Sequence, residues 1–247
     1  MSKLIPPHGG KGLVCALLEG AELEAEKKKA EGLKKIDISS REKGDIIMMA
    51  IGAFSPLAGF MTQADWKSVC SNLTLADGTF WPVPVTMSVT KADGDEINEG
   101  DEIALRDAKN EILATMKVTE KYEMTQANKE FECEKVFMGE GTATAEEFWK
   151  IARDDHPGVQ MVMDQKHYNL AGPIKAVSES NYPTKYTGIY MKPAESRKIF
   201  EERGWSEVAA MQLRNPMHRS HEYLCKIAVE VCDGVFIHSL IGNLKPG

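Results

Sequence analysis

The sequence predicts a mixed architecture: an α+β domain built on a small antiparallel sheet or barrel, then the first part of an α/β domain with a parallel sheet. Three observations lead there. Residues 80–118 carry period-two alternation and β-branched runs, as in "VPVTMSV" and "EIALRDAKNEILATMKV". Beyond "NLAGPIKAV" (169–177) helix and strand patterns alternate, the mark of a parallel sheet. At 247 residues, 43% hydrophobic and 27% charged, the chain has the composition of a globular protein and room for one large domain or two ordinary ones.

In chain order, "EGAELEAEKKKAEGLKK" (19–35) mixes helix formers with charges of both signs, and Glu24 with Lys28 is a favourable i,i+4 pair on a solvated helix. "SSREKGDIIMMAIGAFSPLAGF" opens with Ser39-x-x-Glu42, the spacing of a capping box. A short helix is expected after Thr62, over "QADWKSVCSNL". Asp77-Gly78, Asp93-Gly94 and Gly100-Asp101 then read as turns between strands. "GTATAEEFWKIARDDHPGV" suggests a helix before a loop, and "NLAGPIKAV" a strand behind a Gly-Pro corner. Pro193 suits the first turn of a helix running to Arg203, with Gly204 at its C-terminal cap. "EVAAMQL" reads as a buried strand and "GVFIHSLI" as a second. Between them "PMHRSHEYLCKIAVEVC" reads as a helix with Tyr223, Leu224, Ile227, Ala228 and Val231 on its apolar face. This β-α-β unit implies a parallel sheet with a right-handed crossover. The domain boundary is expected near residues 165–185 and is set at 168/169, giving domains 1–168 and 169–247.

Composition narrows the function classes. Thirty Lys plus Arg against thirty-seven Asp plus Glu leave a net charge of −7, which opposes general affinity for nucleic acid or anionic membranes. An anionic ligand must therefore meet locally concentrated positive groups. The five cysteines are an odd count without C-x-x-C, as expected of reduced thiols in a cytoplasmic protein. No run of about 18 apolar residues or signal-like core is present.

The densest chemistry lies in "MQLRNPMHRSHEYL", Met211 to Leu224. Asn215 and Pro216 suit an N-cap and a first helical position, so a helix should begin at the carboxyl end of the strand ending in Leu213. Ligands of open α/β sheets bind at that end, where a helix N-terminus offers unpaired N–H groups to phosphate or sulfate. His218 and His221 should share one helix face, and Gln212 and Arg214 add a neutral donor and a guanidinium suited to a tetrahedral oxyanion. Such positioning is the main resource of phosphoryl-type transfer. An H-x-x-H pair alone is more often structural, Arg214 alone fits a salt bridge and Asn215 alone a cap. No third metal ligand stands at a recognisable spacing and no H-E-x-x-H glutamate is present. Cys225 and Cys232, at i,i+7, read as packed thiols.

"QLRNPMHRSHEYL" resembles the Q-x-R-N-P-x-H-x-x-H signature of the ATP sulfurylase (sulfate adenylyltransferase) family. "LIPPHGG", "AIGAFSPLAGFM", "LADGTFWPVPVT", "HPGV", "NLAGPI", "KPAESRKIFEERGW" and "IHSLIGNLKPG" resemble family segments in family order. The monofunctional prokaryotic branch, with enzymes of sulfate reducers and sulfur oxidisers, is the most similar. The resemblance implies a PUA-like β-barrel domain followed by the first part of a Rossmann-like nucleotidyltransferase domain. It implies transfer of AMP from ATP to sulfate, giving adenosine 5′-phosphosulfate and pyrophosphate, with Mg²⁺ accompanying the nucleotide and a homo-oligomeric assembly.

Carried over by motif position, Gln212 and Arg214 would bind sulfate, and Asn215 with the Leu213 backbone would contact nucleotide and substrate. His218 and His221 would stabilise charge at the α-phosphate and departing pyrophosphate. Arg214, Asn215, His218 and His221 are thus the expected catalytic residues. Sulfate attacks phosphorus directly, so no protein nucleophile is required. Leu213 stands where the family often has threonine, and Ser239 where it often has proline. The family's later G-R-D-H-A-G and its methionine- and arginine-rich segments are absent from these residues, so the chain reads as truncated within the catalytic domain. Two other readings remain open at this stage: another adenylyltransferase of the H-x-G-H type, and an inactive fragment that binds ligand or RNA.

Overall fold

Threonine and serine hydroxyls start many of the helices of this chain. The computed structural model describes residues 4–138 and 144–240. Its elements begin with α1 (Gly20–Gly32), β1 (Lys34–Asp37), α2 (Ser40–Ala50), β2 (Gly59–Phe60), α3 (Gln63–Asn72), β3 (Met87–Val89) and α4 (Lys91–Glu96). They continue with β4 (Glu102–Arg106), β5 (Ile112–Lys117), β6 (Glu120–Glu123), α5 (Gln126–Phe137), α6 (Ala145–Asp155), α7 (Pro157–Met163) and β7 (Tyr168–Ala176). The last are α8 (Tyr182–Lys185), α9 (Pro193–Glu202), β8 (Val208–Leu213), α10 (Arg219–Val231) and β9 (Gly234–Ser239).

The expected capping box of α2 is formed: Ser39 Oγ accepts the Glu42 N–H at 3.2 Å, and Glu42 Oε2 accepts the Ser39 N–H at 2.7 Å. The other Glu42 oxygen accepts the Ser88 N–H at 2.9 Å, so one buried carboxylate ties α2 to β3. At α3, α4, α5 and α6 the hydroxyls of Thr62, Thr90, Thr125 and Thr144 each accept the backbone N–H three residues on, a one-way N-cap.

Two loops of the sequence reading are helices. Asp93-Gly94, expected as a turn, lies inside α4; Gly94 is there because a Cβ would sit 2.2 Å from the Tyr168 ring. The stretch after Asp155 continues as α7, whose first N–H groups are taken by His156 Nδ1 from Gly158 and Val159, with Pro157 in the first turn.

The N-terminal sheet is mixed and curled. Its order is β1-β4-β5-β7-β2, with β3 and β6 also pairing with β7, and only β1 and β4 run parallel. Strand β7 is the hub. Its first residues pair with β3 and β6, and its later ones with β2 and β5. Gly172 makes the change of partners possible: a Cβ there would lie 2.0 Å from Lys117 O, and one on Gly59 would lie 1.9 Å from Gly172 O. Ile46, Met49, Met87, Ile103, Leu113 and Leu170 fill the core beneath this sheet.

The boundary expected at 168/169 is corrected. Residues 168–176 are central to the first sheet, because the Gly-Pro pair is a bend within β7 rather than an entry to a new domain. One compact unit is His8–Tyr190, and the other joins the residues before His8 to those from Met191 onward. In the C-terminal unit, β8 and β9 pair in parallel from Val208↔Gly234 to Leu213↔Ser239, with α10 between them in sequence, as expected of a β-α-β unit.

Candidate functional site

Strand β8 carries Gln212 and Leu213 to its carboxyl end. Gln212 stands in register with His238 and Leu213 with Ser239. Leu213 is the one buried residue of the cluster, and its carbonyl accepts the Leu240 N–H at 2.7 Å. Its neighbours Gln212, Arg214 and Asn215 are exposed, and Arg214 has no carboxylate partner among the described residues. An unpaired guanidinium in an acidic chain is a ready site for an oxyanion.

The helix begins later than the sequence suggests. Asn215 is not its N-cap: residues 214–218 form a bend and an extended segment, and α10 starts at Arg219 with His218 as N-cap (φ −129°, ψ 179°). The His218 N–H bond to His221 Nδ1 places the cap at His218 instead. Histidine replaces the usual glutamate in a capping box here: His221 Nδ1 accepts the His218 backbone N–H at 3.3 Å. The two rings are drawn together, with centroids 3.9 Å apart at an interplanar angle of 42°. The Arg219, Ser220 and His221 N–H groups lie in the first turn, where no intrahelical acceptor exists.

All six sequence-predicted residues, Gln212, Leu213, Arg214, Asn215, His218 and His221, therefore fall within one strand end and the helix start that follows it. Two features escaped the sequence reading. Ser220 Oγ lies 2.7 Å from His218 Nδ1; a short hydroxyl two residues after a histidine at a helix start is the signal that marks it. His238, brought beside Gln212 by strand register, stacks on Phe236 with centroids 6.0 Å apart.

The apolar face of α10 is also corrected. His221, Cys225, Ala228 and Cys232 are the partly buried positions, and Cys225 donates to Met211 Sδ of β8 at 3.6 Å. Of the predicted face of Tyr223, Leu224, Ile227, Ala228 and Val231, Ala228 is partly buried and the other four are exposed. Strand β8, expected to be buried, keeps only Leu213 fully covered. All five cysteines are free. The segment "GNLKPG" (242–247) lies outside the described residues.

Comparison with known proteins agrees with both the fold and the motif. Residues 5–179 match the PUA-like domain family and residues 187–247 the ATP-sulfurylase family. A sulfate adenylyltransferase of Desulfatibacillum aliphaticivorans is 76% identical over 100% of this chain and 58% of its own length. That of Desulfovibrio desulfuricans is 65% identical over 100% of this chain and 58% of its own length. That of Entamoeba histolytica is 55% identical over 100% of this chain and 56% of its own length. Among solved structures, a chain described as hexameric APS kinase from Thiobacillus denitrificans superposes with a TM-score of 0.71 at 28% identity, covering 97% of this chain and 40% of that one. The chain thus spans a little over half the length of the curated relatives it matches.

Proposed function

We propose that this chain, which belongs to the PUA-like domain family and matches the ATP-sulfurylase family over residues 187–247, supplies the sulfate side of an enzyme joining ATP and sulfate into adenosine 5′-phosphosulfate and pyrophosphate, or running the reverse. The observation that carries this reading is the placement of Arg214, free of any described carboxylate, just after the carboxyl end of β8, with the paired His218 and His221 rings at the start of the helix that follows. Gln212 and Arg214 hold sulfate; Asn215 and the Leu213 backbone border nucleotide and substrate. A sulfate oxygen forms the new bond to the α-phosphorus, and the bond from that phosphorus to the bridging oxygen breaks. Pyrophosphate leaves with the electron pair. Imidazole and backbone N–H donors at the helix start stabilise charge as it moves onto those oxygens.

Mg²⁺ belongs to this proposal as a companion of the nucleotide. Among the described residues no group of three or more His, Cys, Asp or Glu could hold a metal ion. In this proposal the cation is carried mostly by phosphate oxygens and would neutralise their charge, and the side-chain oxygens of Gln212, Asn215 and Ser220 are the hard donors of the cluster. We further propose a cytoplasmic homo-oligomer, supported by the free cysteines and by the hexameric description of the structural relative. The net charge of −7 supports small anionic substrates over nucleic acid or membrane as partners.

The test is pyrophosphate release by the protein extended to the length of its relatives, with and without sulfate. Sulfate-dependent release is expected. Release that ignores sulfate and responds to an organic phosphate or acid would overturn the assignment in favour of another adenylyl transfer.

A further inference from the structure

We propose that Ser220 is a positioning residue, whose hydroxyl holds His218 as the Nε2–H tautomer, so that His218 and His221 both present an Nε2–H donor to the reacting phosphates. This rests on the function proposed above and extends it to a residue outside the recognised cluster.

The argument starts from His221, where the assignment is unambiguous. A backbone N–H can only donate, and the His218 N–H points at His221 Nδ1 from 3.3 Å. That nitrogen must carry a lone pair, so the ring proton of His221 sits on Nε2. For His218 the partner is a hydroxyl, which can donate or accept: Ser220 Oγ stands 2.7 Å from Nδ1. Surroundings decide between the two. Ser220 lies in the first turn of α10, where the backbone presents unpaired N–H groups and the first free carbonyls are taken by later turns. The His218 carbonyl, for example, already accepts the Glu222 N–H at 3.1 Å. Among the described residues the one recorded hydrogen-bond partner of the Ser220 hydroxyl is the Nδ1 of His218. With Ser220 as the donor of this short contact, the His218 proton sits on Nε2.

The consequence is a matched pair. Each Nδ1 is engaged by the helix start and each Nε2–H lies on the opposite side of its ring, with the rings 3.9 Å apart. Donors fixed in advance need not reorganise as charge develops on phosphate oxygens. Without the hydroxyl, His218 can rotate or place its proton on Nδ1, which would offer a lone pair to an anion. The second-site hydrogen bond that sets the tautomer of a functional histidine is a general device.

Two readouts test the proposal. The first is the ¹⁵N imidazole spectrum of the 247-residue chain, assigned with His218→Ala. Wild type should show protonated Nε2 and bare Nδ1 at both His218 and His221. Ser220→Ala should give mixed tautomers at His218 alone, and Ser220→Thr should restore the single form. Alanine is a good helix former, so the variant keeps α10. The second readout is turnover of the protein extended to the length of its relatives. Loss of one such hydrogen bond predicts kcat lower by about fivefold with KM for ATP little changed, and recovery in Ser220→Thr. An unchanged His218 tautomer in Ser220→Ala overturns the proposal, as does a shifted tautomer with wild-type kcat. A wild-type protein that shows both Nε2–H tautomers but no sulfate-dependent turnover overturns the proposed function instead and leaves the hydrogen-bond assignment standing.

Discussion

The His218 backbone N–H donates to His221 Nδ1 at 3.3 Å while the two rings approach to 3.9 Å between centroids, so one hydrogen bond both starts α10 and pairs the imidazoles. Removing either ring should therefore act on the transition state more than on binding. His218→Ala and His221→Ala are expected to lower kcat of the extended protein by about 100-fold or more, with ATP affinity changed by only a few fold. Steady-state kinetics with an independent nucleotide-binding measurement checks the split. Weak nucleotide binding with normal kcat would make the rings ground-state contacts only.

Arg214 has no described carboxylate to hold it, so its charge is free for a ligand. Arg214→Ala should reduce sulfate-dependent turnover by orders of magnitude while leaving the circular dichroism spectrum and melting temperature unchanged. Arg214→Lys should recover only part of it, since one ammonium cannot reproduce a bidentate fork. Near wild-type turnover in the alanine variant would remove Arg214 from the sulfate site.

The cluster was legible because its parts are contiguous: a strand end, a helix start and the residues between them need no long-range contact to come together. The Ser39–Glu42 capping box and the Pro193 helix start were legible for the same reason. What could not be read depended on distant partners. Gly94 looks like a turn until Tyr168 packs against it, and Gly172-Pro173 looks like a domain corner until Gly59 passes over it. Asn215 looked like a cap because capping propensity is strong, yet the His221 ring outcompetes it from three residues beyond His218. Helix α5 carries five charged residues among its twelve, and the burial of Glu132 and Cys133 within it is set by Trp66 and α7, which local pattern does not show.

Asp45 offers a pH test of the N-terminal unit. Its Oδ2 has no hydrogen bond among the described residues and lies 3.7 Å from Arg41 Nη1. Burial lifts its carboxyl to about 6, with Arg41 opposing and Glu42 reinforcing the rise. The folded protein therefore holds this proton more tightly than the unfolded chain. Its contribution to stability is greatest below the ordinary aspartate range of about 4, falls as pH rises toward 6, and stays at its lowest above that, a swing of at most about 3 kcal/mol. Asp45→Asn should stabilise the protein at neutral pH by about 1–3 kcal/mol and flatten this part of the pH profile. Urea unfolding of both proteins across the range checks it; parallel profiles would show that Asp45 is ionised without penalty.

Gly172 and Gly59 should be intolerant of any side chain. Added Cβ atoms would meet backbone oxygens at 2.0 and 1.9 Å, and Gly172 has φ 150°. Backbone, unlike a flexible side chain, cannot yield locally. Gly172→Ala is expected to cost about 4 kcal/mol or more, whereas Gly12→Ala, with nothing within 4 Å of its Cβ, should cost little. Chemical denaturation of the two variants measures the contrast, and a mild effect at Gly172 would mean that β7 can shift its register against β2 and β5.

The final prediction concerns the 247-residue chain by itself. It carries the cluster at 212–221, but its relatives are longer: it spans 58% of the Desulfatibacillum protein and 56% of the Entamoeba protein. The cluster is also open, with Gln212, Arg214, Asn215 and His218 all exposed. An open half-site holds its reactants loosely, and loose positioning forfeits much of the rate gained by bringing them together. Beside it the α10 stripe of Tyr223, Leu224, Ile227 and Val231 stays exposed, an apolar patch of the kind that drives association. The chain should therefore release pyrophosphate with sulfate at least about 100-fold more slowly than the extended protein. It should also self-associate with rising concentration, and Leu224→Lys with Val231→Lys should suppress that without raising turnover. Assays on mass-verified samples, with sedimentation at several concentrations, read both effects. Equal turnover from the short chain would show that residues 212–221 need no further wall, and that the site is complete on the exposed surface where β8 ends.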